Sequence, residues 1–267
     1  MEREGQPSGD DPAEVTHDTL LRGRIQLFQP ARGFRSSLDP VLLAGFIAPP
    51  YGRFLDIGCG TGAVSFLLLA RDRHARGVGV EVQPALAALL ARGVAANQFG
   101  ARFQVVPGDI RRAALPEGAF DLVVSNPPFQ PVGSGELPPD EQKRVAHHEV
   151  KLRLAECLAR AAELAKPAAR VALVLPAARA RELQIGLRSH GLMPVRLRMV
   201  HPRAGSLASR VLVEARRTDS KPTLALEPPL YVHDGDSYSP EVRRMLGEDE
   251  PASGDARGPD GPREGSA

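Results

Sequence analysis

The chain has 267 residues, enough for one large α/β domain, and its two cysteines are too few for a disulfide framework or a zinc site. No apolar run approaches the roughly 18 residues of a membrane-spanning helix, and the acidic N-terminus is unlike a signal peptide. Length, cysteine content and hydropathy together predict a soluble protein of the reducing cytoplasm.

The net charge of +2 conceals a basic body between two acidic ends. Residues 1–17 carry five acids and one arginine, and residues 247–267 carry six acids and two arginines, so each end has a charge of −4. Without these ends, residues 18–246 carry +10. We expect two disordered tails around a single domain, because neither end has enough apolar residues to bury. A basic body favours a polyanion such as RNA, although a solvated, arginine-rich surface would have the same composition.

The predicted elements, taken in chain order, indicate a doubly wound α/β sheet that is mostly parallel. A strand at 24–29 and a helix at 39–48 come first. Strands and helices then alternate, with strands at 53–57, 76–82, 102–107, 119–125 and 169–175 and helices at 63–72, 84–97, 149–166 and 177–190. Such alternation is typical of parallel strands joined by right-handed crossovers. Two final strands, 193–201 and 208–216, are expected to form an antiparallel edge.

Alternate glycines follow the strand at 53–57. Gly58, Gly60 and Gly62 stand just before a helix, where they allow the backbone to approach a ligand near an electropositive helix terminus. The next strand ends at Glu81, a carboxylate suited to a ribose diol. The glycine spacing differs from the G-x-G-x-x-G pattern of dinucleotide-binding folds. Cys59, within the loop, is interpreted as a small packing residue.

The most informative feature is Asn126-Pro127-Pro128-Phe129, directly after the apolar strand at 119–125. The proline pair ends the strand at the sheet edge where open α/β folds bind ligands. There the chain offers an amide oxygen, a free backbone carbonyl and an aromatic face. These groups fit a planar amino group on an aromatic base, although a simple strand-to-loop turn would also fit the motif taken alone.

The ordered set of motifs resembles the class I S-adenosylmethionine-dependent methyltransferases, whose Rossmann-like fold has a seven-stranded sheet. In that family the glycine loop passes under the methionine part of the cofactor. One acid then holds the ribose and another reaches the adenine amine. The resemblance implies S-adenosylmethionine as cofactor, with cofactor-binding roles for Asp56, Gly58, Gly60, Gly62, Glu81, Asp109 and Asn126. The Asn-Pro-Pro-aromatic motif marks the members that methylate an amide or an exocyclic base nitrogen, which gives catalytic roles to Asn126, Pro127, Pro128 and Phe129.

Residues 27–44 sharpen the resemblance, because they are similar to the segment preceding the core of the bacterial valine-tRNA adenine N6-methyltransferases. That family modifies the adenine beside the anticodon. The resemblance implies tRNA as partner, without a membrane or an obligate protein partner, and adds Asp39 to the cofactor site. The candidates for RNA contact are Arg35, Lys143, Arg144 and Arg203.

Other functions remain open at this point. Phe129 stands where many relatives carry Tyr, and methyltransferases of guanine N2 in ribosomal RNA also favour Phe there. A protein-glutamine N5-methyltransferase is less favoured, because only about fifty residues precede the glycine loop. A noncatalytic, S-adenosylmethionine-binding RNA module is the third alternative, against which the intact motif argues. The tandem His147-His148 lacks the further ligands that a metal site needs, so we expect no metal.

Overall fold

A computed structural model of the chain describes residues 14–32, 36–127, 152–218 and 222–248. Its strands are β1 (Val15–Leu20), β2 (Ile25–Pro30), β3 (Arg53–Ile57), β4 (Arg76–Glu81), β5 (Phe103–Pro107), β6 (Phe120–Ser125), β7 (Ala165–Pro176), β8 (Leu192–His201), β9 (Arg210–Arg217), β10 (Ala225–Leu226), β11 (Leu230–Tyr231), β12 (His233–Asp234) and β13 (Ser237–Tyr238). Its helices are α1 (Asp39–Phe46), α2 (Ala63–Arg71), α3 (Pro84–Ala96), α4 (Leu154–Leu164), α5 (Ala180–Ser189) and α6 (Pro240–Met245). A 3₁₀ turn, Ala177–Arg179, leads into α5.

The central sheet has the order β8-β9-β7-β6-β3-β4-β5, with the two-residue strands β10 and β11 paired in parallel to β8. The neighbours from β7 to β5 are parallel, whereas β9 is antiparallel to both β7 and β8. The predicted doubly wound, mostly parallel fold is confirmed. Strand β9, which runs antiparallel to its neighbours, lies between β7 and β8. Strand β8 is the outer of these three strands, although it precedes β9 in the chain.

Both faces of the sheet are covered by buried apolar side chains. On one face α1, α2, α3 and α6 pack around aromatic residues that include Phe54, Phe66 and Phe103. On the other face α4 and α5 contribute Leu158, Leu164 and Leu187 among others. This three-layer packing leaves the ends of the strands accessible for a site.

An N-terminal hairpin, β1 and β2, forms a separate two-stranded antiparallel sheet. It begins at Val15, so its first strand includes residues 15–17, which composition assigned to the acidic tail. His17 stacks on Phe28 across the hairpin, with ring centroids 4.9 Å apart. The Asn97 side chain exchanges hydrogen bonds with the backbone of Gln26 at 2.8 and 2.7 Å, which ties the hairpin to α3.

The C-terminal part adds elements that the pattern of the sequence did not predict. Helix α6 is short, and its N-cap Ser239 accepts a hydrogen bond from the Val242 N–H at 3.3 Å. Strand β11, Leu230–Tyr231, pairs in parallel with β8. None of the described helices combines the length and apolar character that a bilayer crossing requires.

Candidate active site

The carboxyl ends of β3, β4, β5 and β6 meet at one edge of the sheet, and each is followed by a residue expected in the site. The Ser125 hydroxyl donates to the Ile57 carbonyl at 2.8 Å, joining the ends of β6 and β3. In open α/β sheets, this edge is where ligands bind. The topology therefore brings the glycine loop and Asn126 to neighbouring strands.

The glycine loop has a backbone that only glycine adopts readily. The φ angles of Gly58, Gly60 and Gly62 are +68°, +56° and +93°. A Cβ added to Gly58 would meet no described atom within 4 Å, whereas one on Gly62 would lie 2.4 Å from Leu90 Cδ1. Gly58 thus borders open space where a ligand can lie against the backbone, and Gly62 is confined by the packing of α2 and α3.

Glu81 connects the end of β4 to the glycine loop. It is 4% exposed, and its Oε2 accepts the Gly60 N–H at 2.8 Å while Oε1 accepts the Gln83 N–H at 2.8 Å. Two backbone donors fix the carboxylate at the point where the loop turns. Its remaining lone pairs are the ones available to a ligand.

Asp56 lies beneath the loop at the end of β3. It is 1% exposed, and its Oδ2 accepts the Ser65 hydroxyl at 2.7 Å. Burial raises the pKa of Asp56 to about 7, against the lowering effect of the Ser65 hydrogen bond, and the Glu81 charge raises it further. Its burial and its bond to Ser65 on α2 favour an indirect role, in which Asp56 supports the loop.

Asp109 follows β5 and is held by Arg111. Arg111 Nε lies 3.0 and 2.8 Å from the two carboxylate oxygens, and Nη2 lies 2.6 Å from Oδ2. These hydrogen bonds hold the pKa of Asp109 below its usual value. The carboxylate is therefore ionised and oriented. A ligand amine there would share it with a guanidinium.

Asn126 and Thr61 each place an unsatisfied buried atom at this edge. Asn126 Oδ1 and Thr61 Oγ1 are inaccessible to solvent and have no hydrogen-bond partner among the described residues. A buried polar atom without a partner costs about 1–3 kcal/mol, so native proteins retain such atoms mainly where function requires them. Both atoms indicate a site that is completed by a ligand.

Asp39, the first residue of α1, is buried and bonded to Arg210 Nε at 3.1 and 3.0 Å. The guanidinium comes from the start of β9, which lies at the same edge of the sheet as the end of β7. Asp39 is thus fixed in the protein by an ion pair. Any contact with a cofactor would be made from that held position.

The predicted RNA-contacting residues are only partly described. Arg203 lies in the loop after β8, where its exposed side chain is 3.8 Å from Asp236 Oδ1. Pro127 is buried beside Asn126. Arg35, Pro128, Phe129, Lys143 and Arg144 lie outside the described residues, as does the His147-His148 pair.

The two cysteines, Cys59 and Cys157, are buried and unbonded to each other. Burial raises the pKa of Cys59, and it raises that of Cys157 to about 11, so neither thiol is activated as a nucleophile. Within the four described ranges, no group of three or more His, Cys, Asp or Glu residues could hold a metal ion.

Sequence reasoning missed Thr61, Ser65 and Ser125 as parts of the site. Each is a small hydroxyl residue in an apolar or glycine-rich run, and each is buried. A buried hydroxyl beside a predicted ligand loop is the signal that could have identified them. Arg210 gave no such signal, because its partner Asp39 is 171 residues away.

Comparison with protein families places residues 39–137 in the Methyltransferase small domain family. A tRNA1(Val) (adenine(37)-N6)-methyltransferase of Porphyromonas gingivalis is 33% identical over 233 residues, covering 83% of this chain and 91% of the relative. The enzyme of the same name from Aeromonas salmonicida is 35% identical over 163 residues, covering 60% and 67%.

Solved structures with this fold include a predicted O-methyltransferase from Agrobacterium tumefaciens, with a TM-score of 0.64 and 24% identity over 78% of this chain and 95% of that one. TYW2 of P. horikoshii, in complex with MeSAdo, has a TM-score of 0.55 and 15% identity over 76% and 71%. At these identities the likeness establishes the fold.

Proposed function

Because the chain belongs to the family of tRNA1(Val) (adenine(37)-N6)-methyltransferases, we propose that it methylates N6 of adenine 37 in a valine tRNA. The chain is an S-adenosylmethionine-dependent methyltransferase. The observation that carries the proposal is Asn126 Oδ1 at the carboxyl end of β6, a buried acceptor with no hydrogen-bond partner among the described residues. An exocyclic amine supplies the missing donor.

The residues at the edge fit S-adenosylmethionine, which supplies an electrophilic sulfonium methyl group when bound. Gly58 leaves its backbone open to the methionine part, and Thr61 Oγ1 is a further buried hydroxyl that no described residue satisfies. Glu81 would hold the ribose hydroxyls, because its carboxylate is fixed by two backbone N–H groups. Asp109 would accept from the adenine amine while Arg111 keeps it ionised.

Asn126 and Pro127 would orient the amine of the substrate base. The lone pair of an aromatic amine is delocalised into the ring, which makes the nitrogen a poor nucleophile. If the Asn126 side-chain oxygen and the Pro127 carbonyl each accept one N–H, the lone pair points towards the methyl group and away from conjugation. Held in this way, the amine would be the acceptor of the methyl group that S-adenosylmethionine would supply, and the proton that its nitrogen loses would pass to solvent. Positioning and fixed acceptors supply the acceleration.

A tRNA anticodon loop suits this site, since its bases are largely unpaired and can enter a pocket without melting a duplex. Phe129, the last residue of the motif, would stack on the base, a contact worth about 1–3 kcal/mol. The basic body between the acidic ends, with its charge of +10, favours an RNA partner. A tRNA substrate would place the enzyme in the cytoplasm.

The test is methyl transfer from labelled S-adenosylmethionine to unmodified valine tRNA transcript, to ribosomal RNA and to total protein, followed by nucleoside analysis. The proposal expects N6-methyladenosine in the tRNA and loss of that product when adenine 37 is replaced by guanine. N2-methylguanosine in ribosomal RNA, or methylglutamine in protein, would assign the same site to another substrate. Cofactor binding without transfer to any of the three would make the chain a binding module.

A further inference from the structure

Three arginines along the α4 and α5 side of the active-site edge form no ion pair with a carboxylate in the described ranges. We propose that Arg112, Arg153 and Arg181 form a phosphate-binding rim that holds the backbone of the RNA substrate. This inference rests on the proposed function and names the surface by which the substrate is held. None of the three is among the residues assigned to cofactor and base, although the Arg112 N–H donates to the Asp109 carbonyl at 2.9 Å.

The fold places the three residues on one side of the same edge. Arg112 follows β5, Arg153 precedes α4, and Arg181 is in the first turn of α5, so all three lie at the edge where the parallel strands end. Their neighbours Ile110, Leu154 and Leu183 belong to one buried cluster on one face of the sheet.

Direct contacts link these elements. Arg160 on α4 donates to the carbonyls of Ile110 and Ala113 at 3.0 and 3.1 Å, which fastens the turn after β5 to that helix. Helices α4 and α5 approach closely, because a Cβ on Gly186 would lie 2.8 Å from Leu158 Cδ1. The rim is therefore built on packed elements.

The acids of this region are already engaged. Asp109 binds Arg111, which also lies 3.5 Å from Glu156. Glu156 accepts the Arg153 backbone N–H at 2.8 Å. Glu182 binds Arg179 at 2.8 and 2.7 Å. No described carboxylate lies within ion-pair distance of Arg112, Arg153 or Arg181, and all three residues are exposed.

Two of the positions are unfavourable for a cation in the free protein. Arg153 is the N-cap of α4 and Arg181 is in the first turn of α5, where the helix dipole is positive. Acidic or small polar residues stabilise such positions, whereas a cation there opposes the dipole. A bound phosphate reverses this balance, because it accepts from the guanidinium and faces a positive helix terminus. Local sequence choices that oppose stability are expected at functional sites.

RNA is the partner that this geometry favours. Separate guanidinium groups along an edge match a chain of phosphates, and arginine binds phosphate in a bidentate manner. Because Asn126 and the glycine loop lie at the same edge, an RNA held by the rim would be able to present a base to Asn126.

The experiment compares the wild-type enzyme with the triple variant Arg112→Ala, Arg153→Ala, Arg181→Ala and with the control Arg188→Ala. Arg188 is exposed on the same helix as Arg181 but in its last turn, at the opposite edge of the sheet. Binding of an unmodified valine tRNA transcript is measured at several salt concentrations, together with S-adenosylmethionine binding and thermal stability. We expect the triple variant to lose tRNA affinity at least about tenfold and its log–log salt slope to fall by about 2, as for loss of phosphate contacts. Cofactor affinity should stay unchanged, and Arg188→Ala should match the wild type.

Each other result overturns the rim, and the results distinguish it from the proposed function. If wild type methylates the tRNA and the triple variant binds it with an unchanged salt slope, the rim is wrong and the function stands. An equal loss of tRNA affinity in Arg188→Ala would mean that the overall charge of the protein, and not the rim, determines tRNA binding. If the wild type neither binds nor methylates RNA, both the function and the rim fail together. The single variants, assayed in the same way, retain the test if the triple variant does not fold.

Discussion

Arg210 at the start of β9 binds Asp39 at the start of α1, with Nε 3.1 and 3.0 Å from the two carboxylate oxygens. The two residues are 171 positions apart in the chain. Asp39 is 6% exposed, so its charge is compensated by the protein. This ion pair holds the segment that enters the domain against the strand that closes the sheet.

Arg210→Met is expected to lower the free energy of unfolding by about 2 kcal/mol, because it leaves Asp39 as a buried charge without this partner. Adding Asp39→Asn in the same chain should recover part of the loss, which urea denaturation of the four variants of the cycle would measure. Arg203→Met is the control. Its ion pair with Asp236 spans 3.8 Å at the surface, so its effect should stay within about 0.5 kcal/mol. Strictly additive single changes would contradict the coupling of Asp39 and Arg210.

Gly58→Ala and Gly62→Ala should separate binding from stability. Both glycines have positive φ, so each change strains the backbone by about 1 kcal/mol. A Cβ at Gly62 would also meet Leu90 and Phe66, which adds about 1–3 kcal/mol of overpacking. Gly58→Ala meets no described atom and is expected to weaken S-adenosylmethionine binding about tenfold, or 1.4 kcal/mol. Calorimetric titration and thermal melting measure the two effects. Equal losses of affinity in the two variants would show that the space over Gly58 is not used by the cofactor.

Asn126→Ala is expected to reduce kcat about 100-fold or more while leaving cofactor affinity and stability nearly unchanged. Stability should be retained because the change removes no hydrogen bond between Asn126 Oδ1 and a described residue. Asn97→Ala is the matched control, because its side chain bonds the backbone of Gln26 and Gly93. That variant should lose about 1–3 kcal/mol of stability and keep its kcat. If Asn126→Ala destabilised the fold as strongly as Asn97→Ala, Asn126 would be a structural residue.

The alternation of hydrophobic residues and the glycines between elements were sufficient to predict the sheet, because these local patterns reflect which residues are buried. The strand from Arg53 to Ile57 has the predicted bounds, and the helix that follows Gly62 ends within one residue of the prediction. The hairpin strand Val15–Leu20 was missed, since an acidic, polar stretch carries no periodic apolar signal. Its order comes from pairing with β2, a tertiary effect.

The candidate site was predicted as a set of positions, but the partners of its side chains were not. The sequence indicated Asp109 as a ligand-facing acid, yet it could not reveal that Arg111 occupies both of its oxygens. Nor did it reveal that Asp39 is held by Arg210. Such pairs depend on side-chain direction and on distances that only the folded chain fixes. The end of a strand can be identified from neighbouring residues in the sequence, so the positions of the site residues were predictable.

The buried carboxyl of Asp56 should make stability depend on pH. Its pKa is raised to about 7 by burial, well above the unfolded value of about 3.9, so between these values the folded state binds the extra proton. This contribution favours the folded state most at low pH and is lost as the pH rises towards 7. Asp56→Asn removes the titration and can still accept the Ser65 hydroxyl. Relative to wild type, the variant should therefore gain unfolding free energy as the pH rises from 5 to 8. Between pH 5 and 8 that gain is about 2.7 kcal/mol, because pH 5 lies two units below the folded pKa of about 7. Urea denaturation at several pH values measures this difference, and parallel profiles of the two proteins would mean that Asp56 is ionised throughout that range.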